Sequence, residues 1–216
     1  YSLTKAGSAE LTLSGTNTFS GATVVDAGTL TLSGGSALAN SMAVTVNASG
    51  TLKLASAEEI ATLAGAGAVN LQVNALTVSG TGNTTYSGVM SGTGGSLVKS
   101  GSGALTLSGT NTFTGGASVS AGTVLVGNNA AFGTGTVTFS GGKISGNDTT
   151  ARTVANGLGL SGTLALGDGT NTGALTFSGA AALSAATTLN VASGATLSGV
   201  VSGANSLTKA GSAELT

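Results

Sequence analysis

Apolar and polar residues alternate along this chain in short segments. Glu10-Leu-Thr-Leu13, Thr29-Leu-Thr-Leu32, Ala43-Val-Thr-Val46, Thr51-Leu-Lys-Leu54, Ala75-Leu-Thr-Val78, Thr123-Val-Leu-Val126, Thr136-Val-Thr-Phe139, Ala174-Leu-Thr-Phe177 and Thr188-Leu-Asn-Val191 all read this way. A period of two puts the aliphatic side chains on one face of a strand and the threonines on the other. Clusters of Gly, Ser, Asn and Asp separate the segments and supply turns. One stretch departs from the pattern. In residues 56–63, Ser56 is followed three positions later by Glu59, and Ile60 and Leu63 fall at helical spacing. That is a capping-box signature, and it predicts a single helical turn on a corner, with Glu58-Glu59 in its first turn.

The strands repeat as modules. The first has Leu3, Lys5, Gly7, Leu11, Leu13, Gly15, Asn17, Phe19, Gly21, Val25 and Ala27-Gly28-Thr29-Leu30. A second copy lies 94 residues on, with Leu97, Lys99, Gly101, Leu105, Leu107, Gly109, Asn111, Phe113, Gly115, Val119 and Ala121-Gly122-Thr123. A third begins at Leu207-Thr-Lys209-Ala-Gly211. Ser87-Gly-Val-Met-Ser-Gly92 leads into the second copy and Ser198-Gly-Val-Val-Ser-Gly203 into the third. Residues 206–216 read SLTKAGSAELT, identical to residues 2–12, whereas residues 97–107 match 3–13 at seven of eleven positions. An identical stretch 204 residues away points to a recently duplicated long unit, so the chain is expected to be one period of a tandem array and part of something longer.

Such strands could build a sandwich, a barrel or a solenoid. A sandwich does not require repeats, Asn156-Gly157 is the only Asn-Gly pair of the hairpin type, and large aromatics to fill a broad core are scarce. The expected fold is therefore all-β: a right-handed parallel β-helix, residues 1–216 forming one continuous array with modules starting near 3, 97 and 207. At roughly 20 residues per turn, 204 residues give about ten turns, or about 50 Å of rod.

Composition narrows the function. Charged residues are 6 % of the chain against the roughly 25 % usual in soluble domains, yet no run of 18 apolar residues exists. The surface must be neutral and polar, and membrane insertion of this segment is not expected. Six Lys and Arg supply no basic patch for nucleic acid. Cysteine is absent, which removes disulfides and thiolate metal sites and suits a chain that stays unfolded while crossing a periplasm. Proline is absent too, as expected of hydrogen-bonded ladders.

The string Leu-x-Lys-x-Gly, Leu-x-Leu-Ser-Gly-x-Asn-Thr-Phe-x-Gly, Val-x-Ala-Gly-Thr resembles the autotransporter-associated β-strand repeat, and it is closest over residues 3–30 and 97–124. The resemblance implies a surface-exposed passenger of a Gram-negative outer-membrane protein, exported through the outer membrane, with a translocation barrel elsewhere in the full protein. It brings no catalytic residues.

The residues themselves agree with that. Histidine is absent, so the commonest general base and metal ligand are missing. Lys5, Lys99 and Lys209 are one repeated position and read as architectural. So do Gly15, Gly109, Gly28 and Gly122 at turns, and Asn17 and Asn111, which are expected either to take a positive φ at a turn or to bond the backbone of their own or the next turn. Phe19 and Phe113 are expected to pack inside. The carboxylates Asp26, Asp148, Asp168, Glu10, Glu58, Glu59 and Glu214 are scattered, unlike those of polysaccharide-cleaving β-helices. Gly167-Asp168-Gly169-Thr170-Asn171 could hold calcium through oxygens, but a turn is the simpler reading. Thr-x-Thr pairs such as Thr29 and Thr31 could form a hydroxyl array suited to ice, or simply be exposed strand residues. No catalytic, cofactor or metal site is expected. The functional expectation is a structural or adhesive extracellular rod or filament, associating end to end and side to side with its own kind or meeting a host or neighbouring-cell surface. The alternative is a carbohydrate-binding or carbohydrate-cleaving β-helix.

Overall fold

The computed structural model describes residues 1–216 and contains no helix. All named strand pairs are parallel, and each strand lies on the one about 20 residues before it. Leu3 pairs with Thr23, Thr23 with Val44 and Val44 with Leu63, advances of 20, 21 and 19 residues. The result is a β-solenoid of three faces.

The first face runs through Leu3–Lys5, the starts of Thr23–Leu32 and Ala43–Leu54, then Thr62–Gly65, Thr84–Tyr86, Ala104–Leu107, Thr123–Val126 and Lys143–Gly146. It ends in the second halves of Leu158–Leu166 and Ala181–Val191, and Leu207–Ala210. Those eleven strands make ten steps, matching the expected ten turns. The third face runs from Glu58–Ile60 through Ala75–Val78, Ser96–Lys99, Ala117–Val119 and Val137–Phe139 to Val201–Ser202. The second face is interrupted. Glu10–Leu13 leads by way of Ala68–Asn70 to Met90–Ser91, and a separate ladder of Arg152–Val154, Leu175–Phe177 and Ala195–Leu197 resumes it.

Alternation decides what fills the inside. In Ala104–Leu107, Leu105 and Leu107 are buried and Ala104 and Thr106 are half-buried, and the same rhythm recurs in Thr123–Val126 and Ala75–Val78. The inward residues form one continuous cluster of 43 buried hydrophobics. At about 25 cal/mol per Å² of apolar surface removed from water, this stacked column is the main stabilising term, and each turn contributes by covering its neighbours.

The helical turn expected at residues 56–63 is not there. Glu58–Ile60 is a strand of the third face, and Thr62–Gly65 follows on the first. The capping-box spacing is outweighed by alternation: Glu58 and Ile60 point inward while Glu59 is half-buried and bonded to Asn40. The Glu58 carboxylate accepts the Ala37 and Leu38 N–H groups at 3.2 and 2.6 Å, so it serves backbone donors of the preceding turn rather than a helix of its own.

Candidate functional site: the lysine and asparagine hooks of the repeat

Lys5 stands in register with the buried Val25, on the inward side of the first face. Its ammonium curls into the corner that follows and donates to Ala6 O at 3.1 Å, Gly7 O at 2.8 Å and Ala27 O at 2.9 Å. Three donors meet three carbonyls, one of them on the next turn, so the charge is buried without a carboxylate. Lys99 repeats the placement between Val78 and Val119, is 2 % exposed and bonds Gly101 O. Burial pushes the Lys99 ammonium below the usual lysine range. Lys209, on the last turn, is exposed and reaches only Gly211 O, at 2.7 Å.

The Ala-Gly-Thr part of the module belongs to the same corner, one turn later. A Cβ on Gly122 would meet Gly101 O at 2.2 Å and the Lys99 ammonium at 2.7 Å, and its φ is +67°. Gly28, with φ +68°, covers Gly7 O in the same way. Lysine and glycine are thus two halves of one contact between successive turns. Gly109 lies hard against Gly88 O, whereas Gly15, on the first turn, has open space beside it.

Asn111 performs the second hook. Its Oδ1 accepts the Met90 N–H at 2.8 Å and its Nδ2 donates to Ala131 O at 2.7 Å, so one amide bridges two turns where the second face has no strand. Asn17 donates to Gly15 O and Ala37 O at 2.9 and 2.8 Å. Phe113 is buried, and Phe19 packs half-buried on the core. In both copies the asparagine bonds backbone, without a positive φ, and the phenylalanine packs on the core.

Other hooks were not singled out from the sequence. Asn156 donates to Gly133 O and Gly135 O, Asn74 to Leu54 O, and the buried Tyr86 hydroxyl sits 2.8 Å from Gly67 O. Tyr86 and Glu58 occupy inward positions of their strands, so the period-two pattern was the signal that could have found them. The Asp168 carboxylate accepts the Thr170 and Asn171 N–H groups at 2.9 and 2.7 Å, which makes that stretch a turn. Thr31 is covered by Glu10, whose carboxylate accepts its hydroxyl proton, so this threonine is not part of an open hydroxyl array.

Where the second face is interrupted, an open groove of about 480 Å³ is lined by Asn129, Thr134, Thr153, Asn156 and small residues. No side chain in its lining titrates. No group of three or more His, Cys, Asp or Glu is placed to hold a metal.

Residues 3–32 and 97–126 match the passenger-associated-transport-repeat family, and these are the two complete modules that carry the hooks. Neither a curated protein nor a solved structure matches the chain. The repeat matches together with the parallel solenoid fit a segment of an autotransporter passenger built on β-repeats.

Proposed function

We propose that this chain, carrying two passenger-associated-transport repeats on a parallel β-solenoid, works as a non-catalytic extracellular rod: a structural and adhesive element of a cell surface, exported through the outer membrane. One observation carries the reading. The distinctive polar side chains of the repeat, Lys5, Lys99, Asn17 and Asn111, are all bonded to backbone of their own or an adjacent turn, so the outer surface carries few charges and is mostly hydroxyls and amides. Such a surface gives up little charge hydration when it meets another neutral surface, including a copy of itself. The partners envisaged are other copies of the chain and a host or neighbouring-cell surface, with no role for nucleic acid or for insertion into a membrane. Protease shaving of intact cells, with electron microscopy of their surface, tests this. Rod-like material that is lost on shaving, together with cell-to-cell or surface attachment, is expected. A chain protected from added protease overturns the reading.

The groove at Asn129 and Thr153 supports a second reading, binding of a neutral carbohydrate, because amides and hydroxyls without charge suit sugar hydroxyls. A glycan panel separates the two. Saturable binding lost in Thr153→Val favours the second, and release of reducing sugar would replace both with an enzyme.

A further inference from the structure

We infer that the last turn, built from residues 206–216, is a seat for a turn with the sequence of residues 23–32 carried by a second copy of this unit, so that two units continue as one rod in the same rotational phase.

The argument rests on the placement of the three repeat copies. The first copy starts on the first face, with Leu3–Lys5, and continues on the second, with Glu10–Leu13. The second copy starts on the third face, with Ser96–Lys99, and continues on the first, with Ala104–Leu107. The third copy returns to the first face, with Leu207–Ala210, and reaches the second through the bridge from Ala195 to Leu215. The 94-residue spacing therefore turns the module by a fraction of a revolution, and the 204-residue spacing closes on a whole number of turns. Wider turns near the end (Thr163 pairs with Thr188, an advance of 25) slide the strands along the face. Inward positions stay inward, since Lys209 stands beside the buried Leu189 as Lys5 stands beside Val25.

Contacts in a solenoid are made only between neighbouring turns. A turn with the sequence of residues 2–12 already has a known partner in this molecule, the turn of residues 23–32. Leu3 pairs with Thr23, Leu11 with Leu30, Lys5 binds Ala27 O and Gly28 covers Gly7 O. Residues 206–216 have the same sequence on the same two faces, and they show what that turn looks like uncovered. Leu207 is 36 % exposed, and Lys209 keeps one of the three bonds that Lys5 makes. A second unit supplies Thr23, Ala27, Gly28 and Leu30 at those places. Surface features, the groove at Asn129 and Thr153 among them, then recur on one side of the rod every ten turns, about 48 Å apart.

The inference extends the rod reading and rests on it for the tandem arrangement, but its test is separate from surface display. The test is a fusion of residues 1–204 followed by residues 1–216, compared with the single chain. Small-angle scattering should show one stiff rod longer by about 48 Å, and amide exchange at residues 207–215 should slow by about 100-fold relative to the single chain. Lys209→Met should lower the stability of the fusion while leaving the single chain unchanged. Two units that tumble or unfold separately, unchanged exchange at 207–215, or a fusion that does not fold when the single chain does would each overturn the inference, whatever the shaving experiment shows.

Discussion

Lys99 and Glu58 are ionisable groups placed inside an aliphatic column, and burial shifts each of them towards its neutral form. Burial holds the Lys99 ammonium low, so in the folded chain it sheds its proton before the unfolded chain does. Stability should then rise as pH climbs from the folded value towards the ordinary lysine value of about 10.4. Burial outweighs the Ala37 and Leu38 N–H groups and raises the Glu58 carboxyl above 4.5. Its contribution is complete below 4.5 and is lost as pH rises through the folded value. The Thr150 N–H holds Asp148 below 3.8, and at Asp168 burial pushes upward but is outweighed by bonds from Asn171 and Thr170, so both contributions are lost only under stronger acid. Chemical denaturation across pH should therefore show a shallow maximum on the acid side, between the aspartate and glutamate windows. Glu58→Gln should flatten its upper flank, and a monotonic loss of stability below neutral pH would contradict this assignment.

At the scale of the element, the interrupted second face is where the fold depends most on single side chains. Asn111 satisfies two buried backbone groups there, whereas Asn17 makes its bonds to Gly15 O and Ala37 O nearer the surface. Asn111→Ala should cost about 3 kcal/mol and Asn17→Ala about 1 kcal/mol, because orphaned buried groups lose their water as well as their partner. Urea titration of the two variants measures the difference, and equal losses would count against the bridging role. The strands themselves were legible in the sequence, since alternation in segments such as Ala104–Leu107 leaves little choice of face. The strand at Glu58–Ile60 is not legible in the residues, because Ser-x-x-Glu is equally a helix start and only the burial of Glu58 decides between them. The groove was illegible too. It arises where Asn128 to Thr134 form bends and turns instead of a strand, and alternation does not announce that.

At the scale of the whole solenoid, stability is a sum over neighbouring turns, and residues 1–216 taken alone cover their first and last turns on one side only. Amide exchange should be slowest in the middle turns, around Leu105 and Val124, and fastest in Leu3–Lys5 and Leu207–Ala210. Uniform protection along the chain would mean that the rod opens only as one unit. Repeat spacing was readable from the residues, but which face each copy occupies was not. That follows from individual turn lengths, which run from 17 (Leu52 to Val69) to 25 (Thr163 to Thr188) and are set by the corners.

The return of the third copy to the faces of the first has a consequence for inheritance. Unequal recombination between the coding stretches for residues 2–12 and 206–216 inserts or deletes 204 codons, which preserves both the reading frame and the facing of every turn beyond the junction. Recombination between the first and second modules also keeps the reading frame, yet it leaves everything downstream turned to a different side. Length variants of this rod that arise by such recombination should accordingly differ by multiples of 204 residues, a step that lengthens the protein without reorienting it.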